Sequence, residues 1–99
     1  MDNMTIANTI LAQLGGLRFI AMTGAREFVA VDSGLRFRVP RARDGINLVR
    51  IVLEPSDTYA VEFRASRTTS EKLVHRAEDI YAEDLRRVFT DSTGLETNL

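Results

Sequence analysis

The sequence predicts an α+β domain: a helix, a five-stranded antiparallel meander and a C-terminal helix, forming a two-layer sandwich with both helices on one sheet face. Three observations lead there. Apolar residues recur at spacings of three and four near both ends of the chain. Between those ends, residues 17–65 alternate apolar and polar. The links between alternating runs are short and rich in turn formers, which joins neighbouring strands antiparallel and leaves one face polar.

Residues 5–14 read as a short helix, with Ile6, Ile10, Leu11 and Leu14 on one face. Asn3 or Thr5 can cap its start by accepting a free backbone N–H. Gly15-Gly16 ends it, because glycine takes the left-handed conformation without a Cβ clash. A helix this short is marginal alone and must dock on something apolar. Residues 17–22 then read as a strand, with Leu17, Phe19 and Ala21 on one face, and Thr23-Gly24-Ala25 as a turn. Residues 27–31 form the second strand, closed by Asp32-Ser33-Gly34, a hairpin signal.

Residues 35–39 alternate cleanly: Leu35, Phe37 and Val39 point one way, Arg36 and Arg38 the other. Pro40 stops that strand and residues 41–45 form a polar loop. Residues 46–54 are the longest strand, with Val49, Ile51 and Leu53 inward and Arg50 outward. Pro55-Ser56-Asp57 turns the chain. Residues 58–65 place Tyr59, Val61 and Phe63 inward and Glu62 and Arg64 outward.

Residues 69–75 admit two readings. Thr68 with Glu71 could open a helix as a capping box, or Leu73-Val74 could be a short edge strand. Residues 76–92 are expected to be helical. Ala77, Ile80, Tyr81, Leu85, Val88 and Phe89 form an apolar stripe, and Glu78, Asp79, Glu83 and Asp84 cover the other side. Gly94 marks the end. Residues 95–99 are expected to be a flexible tail.

The 99 residues suit one domain, since two would each be too small to hold a core. At 44% hydrophobic and 27% charged, the composition is that of a globular protein. Thirteen basic residues, twelve of them arginine, face fourteen acidic ones for a net charge of -1, which excludes a globally basic nucleic-acid binder but not a basic face. With no cysteine and one histidine, disulfides, thiolate chemistry and multi-histidine metal sites are excluded. No apolar run approaches the roughly 20 residues of a membrane span. No basic, signal-like N-terminal region is visible, so a cytoplasmic location is expected.

Few residues suggest chemistry. His75 is the one histidine and has Ser66 and Ser70 nearby in sequence, but a solvated or capping histidine explains it equally. Glu78, Asp79, Glu83 and Asp84 could act as paired carboxylates or hold magnesium. A solvated helix face also accounts for them, with Glu83 and Arg87 as an ion pair. Gly15-Gly16 and Thr23-Gly24 lack the spacing of phosphate-binding loops. No cofactor is expected.

The arginines are the one uneven feature. Residues 17–68 hold nine of them against six acids, a net +3, while residues 69–99 carry a net of -3. Arg36, Arg38, Arg50 and Arg64 fall on outward strand positions, with Arg41 and Arg43 in the adjoining loop. If strand order follows the chain, these converge on one face, and arginine forks match carboxylate and phosphate. Alternatively they only solubilise the sheet, with Glu54 and Glu62 as cross-strand partners. The face offers no aromatic residue on which to stack a base.

Three segments resemble a known group of proteins: TIANTILAQLGGLRFIAMTGAREF at residues 5–28, INLVRIVLEPSDTYAVEF at 46–63, and AEDIYAEDLRRVFTDSTGL at 77–95. The chain resembles small single-domain proteins encoded by bacteriophages, prophages and other mobile elements. That group has no assigned activity, cofactor or catalytic residues, so the resemblance implies a setting inside a bacterial host and no chemistry. The expectation is a non-enzymatic accessory protein that binds a host or phage macromolecule, with a protein as the leading partner. The alternative is a nucleic-acid-binding module using Arg36, Arg38, Arg41, Arg43, Arg50 and Arg64. Pairing of free sheet edges between copies is a further option.

Overall fold

The computed structural model describes residues 2–97. Five strands pair in chain order as an antiparallel meander: β1 (Arg26–Val31), β2 (Gly34–Arg38), β3 (Leu48–Leu53), β4 (Tyr59–Arg67) and β5 (Ser70–Ile80). Three helices, α1 (Asn3–Leu14), α2 (Leu17–Thr23) and α3 (Leu85–Thr93), share one apolar core with the sheet's inner face. Helix α1 packs over β1 and β2, and α3 packs against β5 and α1. The α+β sandwich read from the sequence is the observed architecture.

Helix α1 begins two residues earlier than its apolar spacing implies. Asp2, not Asn3 or Thr5, is the cap: its Oδ1 accepts the Thr5 backbone N–H at 2.7 Å. That hydrogen bond holds the Asp2 carboxyl below its ordinary pKa. Asn3 Oδ1 instead accepts the Ser33 N–H at 2.9 Å, which ties α1 to the β1–β2 turn.

Two expected elements are corrected. The strand expected over residues 17–22 is helix α2. A short apolar run does not reveal its own period, and packing decides here. Leu17 is 84% exposed, while Phe19 is fully buried. The Phe19 ring meets Phe37 at 5.5 Å and Phe89 at 5.1 Å, both edge-on, and so pins the helix to the core. One turn later, Thr23 Oγ1 donates to the Phe19 carbonyl and accepts the Ala25 N–H, closing the helix end.

The helix expected over residues 76–92 is strand as far as Ile80; only Leu85–Thr93 is α-helical. Of the ambiguous residues 69–75, Thr69 lies in a turn and 70–75 belong to strand β5. The misleading signal has a physical origin. Ala77 lies opposite Val61 and Ile80 opposite Tyr59, so both face the core although they are three residues apart. An irregular register between those pairs, with Asp79 at φ 56°, inserts the extra residue. A bulged strand thus reproduces a helical spacing. Tyr81, placed on the same stripe, is exposed.

At the C-terminal end, Leu95 packs partly buried against the core and Thr97 is buried, so these residues do not form a free tail. The Leu95 carbonyl accepts from Thr90 Oγ1, and its N–H donates to Thr93 Oγ1. Asn98 and Leu99 lie outside the described residues.

Candidate functional site

Strand alternation separates the sheet into two surfaces. Phe37, Val49, Ile51, Val61 and Phe63 are buried beneath the helices. The intervening positions face outward and pair in register across all five strands. One row runs Val29, Arg36, Arg50, Glu62, Arg76; the next runs Arg26, Arg38, Leu48, Arg64, Leu73. The meander therefore brings Arg36, Arg38, Arg50 and Arg64 onto one face.

The two loop arginines behave differently. Arg41 is exposed in the β2–β3 connection at φ 52°. Arg43 does not join the sheet face: its Nη1 donates to the Asp91 carbonyl of α3 at 2.7 Å, so its guanidinium braces the loop against the helix layer.

The outer face divides into two electrostatic halves. On β4 and β5, charges interlock. Glu62, with only 15% of its side chain exposed, accepts from Arg64 on Oε1 at 3.2 Å and from Arg76 on Oε2 at 2.8 Å. Arg64 also reaches Glu71 at 3.2 Å, and Arg76 reaches Glu78 at 2.8 Å and Glu54 at 4.0 Å. The hydrogen bond that Arg76 donates to Glu78, then the carboxylates of Glu78 and Glu62, push the Arg76 pKa further up. Sequence reasoning placed Arg76 at the start of a helix and missed its part in this network. Only the strand assignment of β5 could have revealed it.

On β1 to β3, cations are in excess. Glu27 is shared by Arg26 at 3.3 Å and Arg38 at 3.8 Å. Arg36 and Arg50, directly opposite each other, make no ion pair and no side-chain hydrogen bond among the described residues. Like charges placed opposite across a ladder destabilise it. A depression of about 290 Å³ lies here, lined by Arg36, Leu48, Arg50, Glu62, Arg64 and Glu71. Leu48 is buried although it points away from the core. Its neighbours in the row are Arg38 and Arg64, long side chains whose aliphatic stems can cover apolar surface.

The remaining candidates do not assemble into a catalytic group. His75 lies on edge strand β5, its ring stacked on Phe63 at 5.9 Å. It borders a second depression of about 410 Å³ with Arg43, Asp91 and Ser92. Among the described residues no hydrogen bond joins His75 to a serine or carboxylate: the Ser66 N–H bonds Asn47, and Ser70 faces Arg67 across the hairpin. Glu78, Asp79, Glu83 and Asp84 do not share a helix face. Glu78 is on β5, Asp79 forms its bulge, and Glu83 and Asp84 lie in a short 3-10 turn. Arg87 pairs with Asp84 at 3.3 Å and Asp91 at 3.8 Å, not with Glu83. No cluster of three acidic or histidine side chains suited to a metal occurs among the described residues. No helix among them is long and apolar enough to cross a membrane.

Fold and surface together define a small α+β meander domain whose outer sheet face carries a one-sided excess of arginine. Compared with protein-family models, with curated proteins and with solved structures, the chain matches none.

Proposed function

We propose that this protein acts without catalysis, by binding a protein of the bacterial host or of a phage through its outer sheet face. The observation that carries the reading is the cation excess on β1 to β3. Arg36 and Arg50 oppose each other and lack carboxylate partners among the described residues, an arrangement that costs stability unless a partner uses it. The resemblance to proteins of phages and mobile elements supports the bacterial setting, inside the host cytoplasm.

A protein partner is favoured over nucleic acid by two features of the same face. Phe37, Tyr59 and Phe63 are buried beneath the helices and offer no ring for stacking. Glu62 and Glu71 line the depression beside the free arginines and would repel a continuous phosphate backbone. A protein surface can set single carboxylates against Arg36 and Arg50 and keep its acids away from Glu62 and Glu71.

The test is capture from bacterial lysate by the wild-type protein and by an Arg36/Arg38/Arg50→Glu variant shown to fold by circular dichroism. The expected partner resists nuclease, is released by salt, is lost with the variant, and rebinds as a purified protein. Recovery abolished by nuclease would transfer the face to nucleic acid. A purified partner that binds the variant equally well would overturn the assignment to this face.

A further inference from the structure

We infer that Arg36 and Arg50 form a carboxylate clamp, a subsite that receives one acidic side chain of the partner; this rests on the binding role proposed above. The two residues face each other across β2 and β3. Both acids that line the same depression are already engaged. Glu62 is held on both oxygens, by Arg64 and Arg76, and Glu71 is held by Arg64. These pairs hold the far wall in place and leave two guanidinium groups unanswered. Arg50 is half-buried, which lowers the local dielectric and strengthens its attraction for an anion.

The depression selects the kind of anion. A guanidinium fork presents parallel N–H donors that fit a planar carboxylate on two oxygens. Two opposed forks can take both oxygens of one carboxylate from either side. Leu48, nearly covered at 4% exposure, lines the same depression and gives an acidic side chain's methylenes one apolar neighbour. Two guanidinium groups attract a doubly charged phosphate while the paired carboxylates of Glu62 and Glu71 repel it, so charge alone does not choose; the planar two-oxygen fit and the protein partner proposed above point to an acidic side chain.

The clamp can be read without the partner. Arginine Nε–H resonances of ¹⁵N-labelled protein are followed during titration with acetate, glutarate and inorganic phosphate at constant ionic strength. The expected result is saturable movement of the Arg36 and Arg50 signals with acetate and glutarate, with weaker binding of phosphate. The exposed Arg18 and Arg86 should show only a linear, non-saturating drift. In Arg50→Gln the Arg36 response should weaken about tenfold or more, because a charge-assisted pair of hydrogen bonds is lost. Arg50→Lys, which keeps the charge but not the fork, should fall between. The amide spectrum of each variant reports its fold, and Arg36→Gln provides the reciprocal test.

Absence of saturation at Arg36 and Arg50, equal responses at Arg18 and Arg86, or tighter binding of phosphate would overturn the clamp. The binding role fails separately. A partner that ignores the charge reversal while glutarate still saturates the clamp refutes the role of the face but not the anion site.

Discussion

The two faces of the sheet are built from alternate residues of the same strands, yet different physics holds them. On the inner face, Phe37 touches Phe19, Phe28 and Phe89 at ring separations of 5.3 to 6.1 Å, and its neighbours Val49 and Phe63 are fully buried. Stability there follows the apolar area removed from water and the absence of voids. On the outer face, a row of arginines is compensated on one side of the sheet and uncompensated on the other. Interior positions contribute to folding, whereas two of the exterior arginines, Arg36 and Arg50, have no ion-pair partner among the described residues. That contrast is what marks the outer face, and not the inner one, as the surface proposed for binding.

Breaking the inner face should have the largest effect. Phe37→Ala removes the ring at the centre of the aromatic cluster and should destabilise by about 3 to 5 kcal/mol, the range for large-to-small core substitutions. Urea denaturation checks it; a loss below about 1 kcal/mol would mean that α2 and α3 collapse into the space.

The compensated half of the outer face comes next. Glu62→Gln keeps the shape but removes the charge shared by Arg64 and Arg76, and should cost about 1 to 2 kcal/mol. A double-mutant cycle with Arg64→Met should show coupling between the two sites. Purely additive effects would reduce the network to surface decoration.

A smaller effect sits where the sheet meets α1. Tyr59 is buried, and its hydroxyl donates to Gln13 Oε1 at 2.6 Å. Burial pushes the Tyr59 phenol pKa up, partly opposed by Gln13. The unfolded chain therefore ionises first. The stability linked to this group is fully present below the ordinary phenol value of about 10 and is lost as pH rises through the folded value. Tyr59→Phe should cost about 1 kcal/mol at neutral pH and flatten the alkaline fall in stability. Thermal melts from pH 8 to 11 compare the two proteins.

The smallest change in stability is expected at the uncompensated arginines, and it sharpens the contrast most. Arg36→Ala should alter folding stability by no more than about 0.5 kcal/mol, and relief of the repulsion with Arg50 should push it towards stabilisation. Loss of partner binding in the same variant would show that the residue serves recognition. A large destabilisation would show instead that its stem packs like a core residue.

Much of this arrangement was legible in the chain. Strict alternation at Leu35 to Val39 and at Tyr59 to Arg64 assigned each side chain to its face, because a strand has a period of two and one face must be dry. The turn at Asp32-Ser33-Gly34 and the prolines fixed the short connections. The pattern also placed Arg36, Arg38, Arg50 and Arg64 outward, so most of the candidate surface was visible before any contact was known.

Elsewhere local signals could not settle the outcome. Residues 17–22 are too short to show a period, and the Phe19 ring chose helix by its seat between Phe37 and Phe89. The spacing of Ala77 and Ile80 mimicked a helix because a bulge supplied one extra residue. The turn of Arg43 towards α3, the engagement of Glu62 by Arg76, and the solitude of Arg36 and Arg50 all depend on which distant residues arrive nearby. Alternation is a property of the backbone and is written locally. Charge compensation is a property of neighbours across strands, and only the folded sheet brings those together.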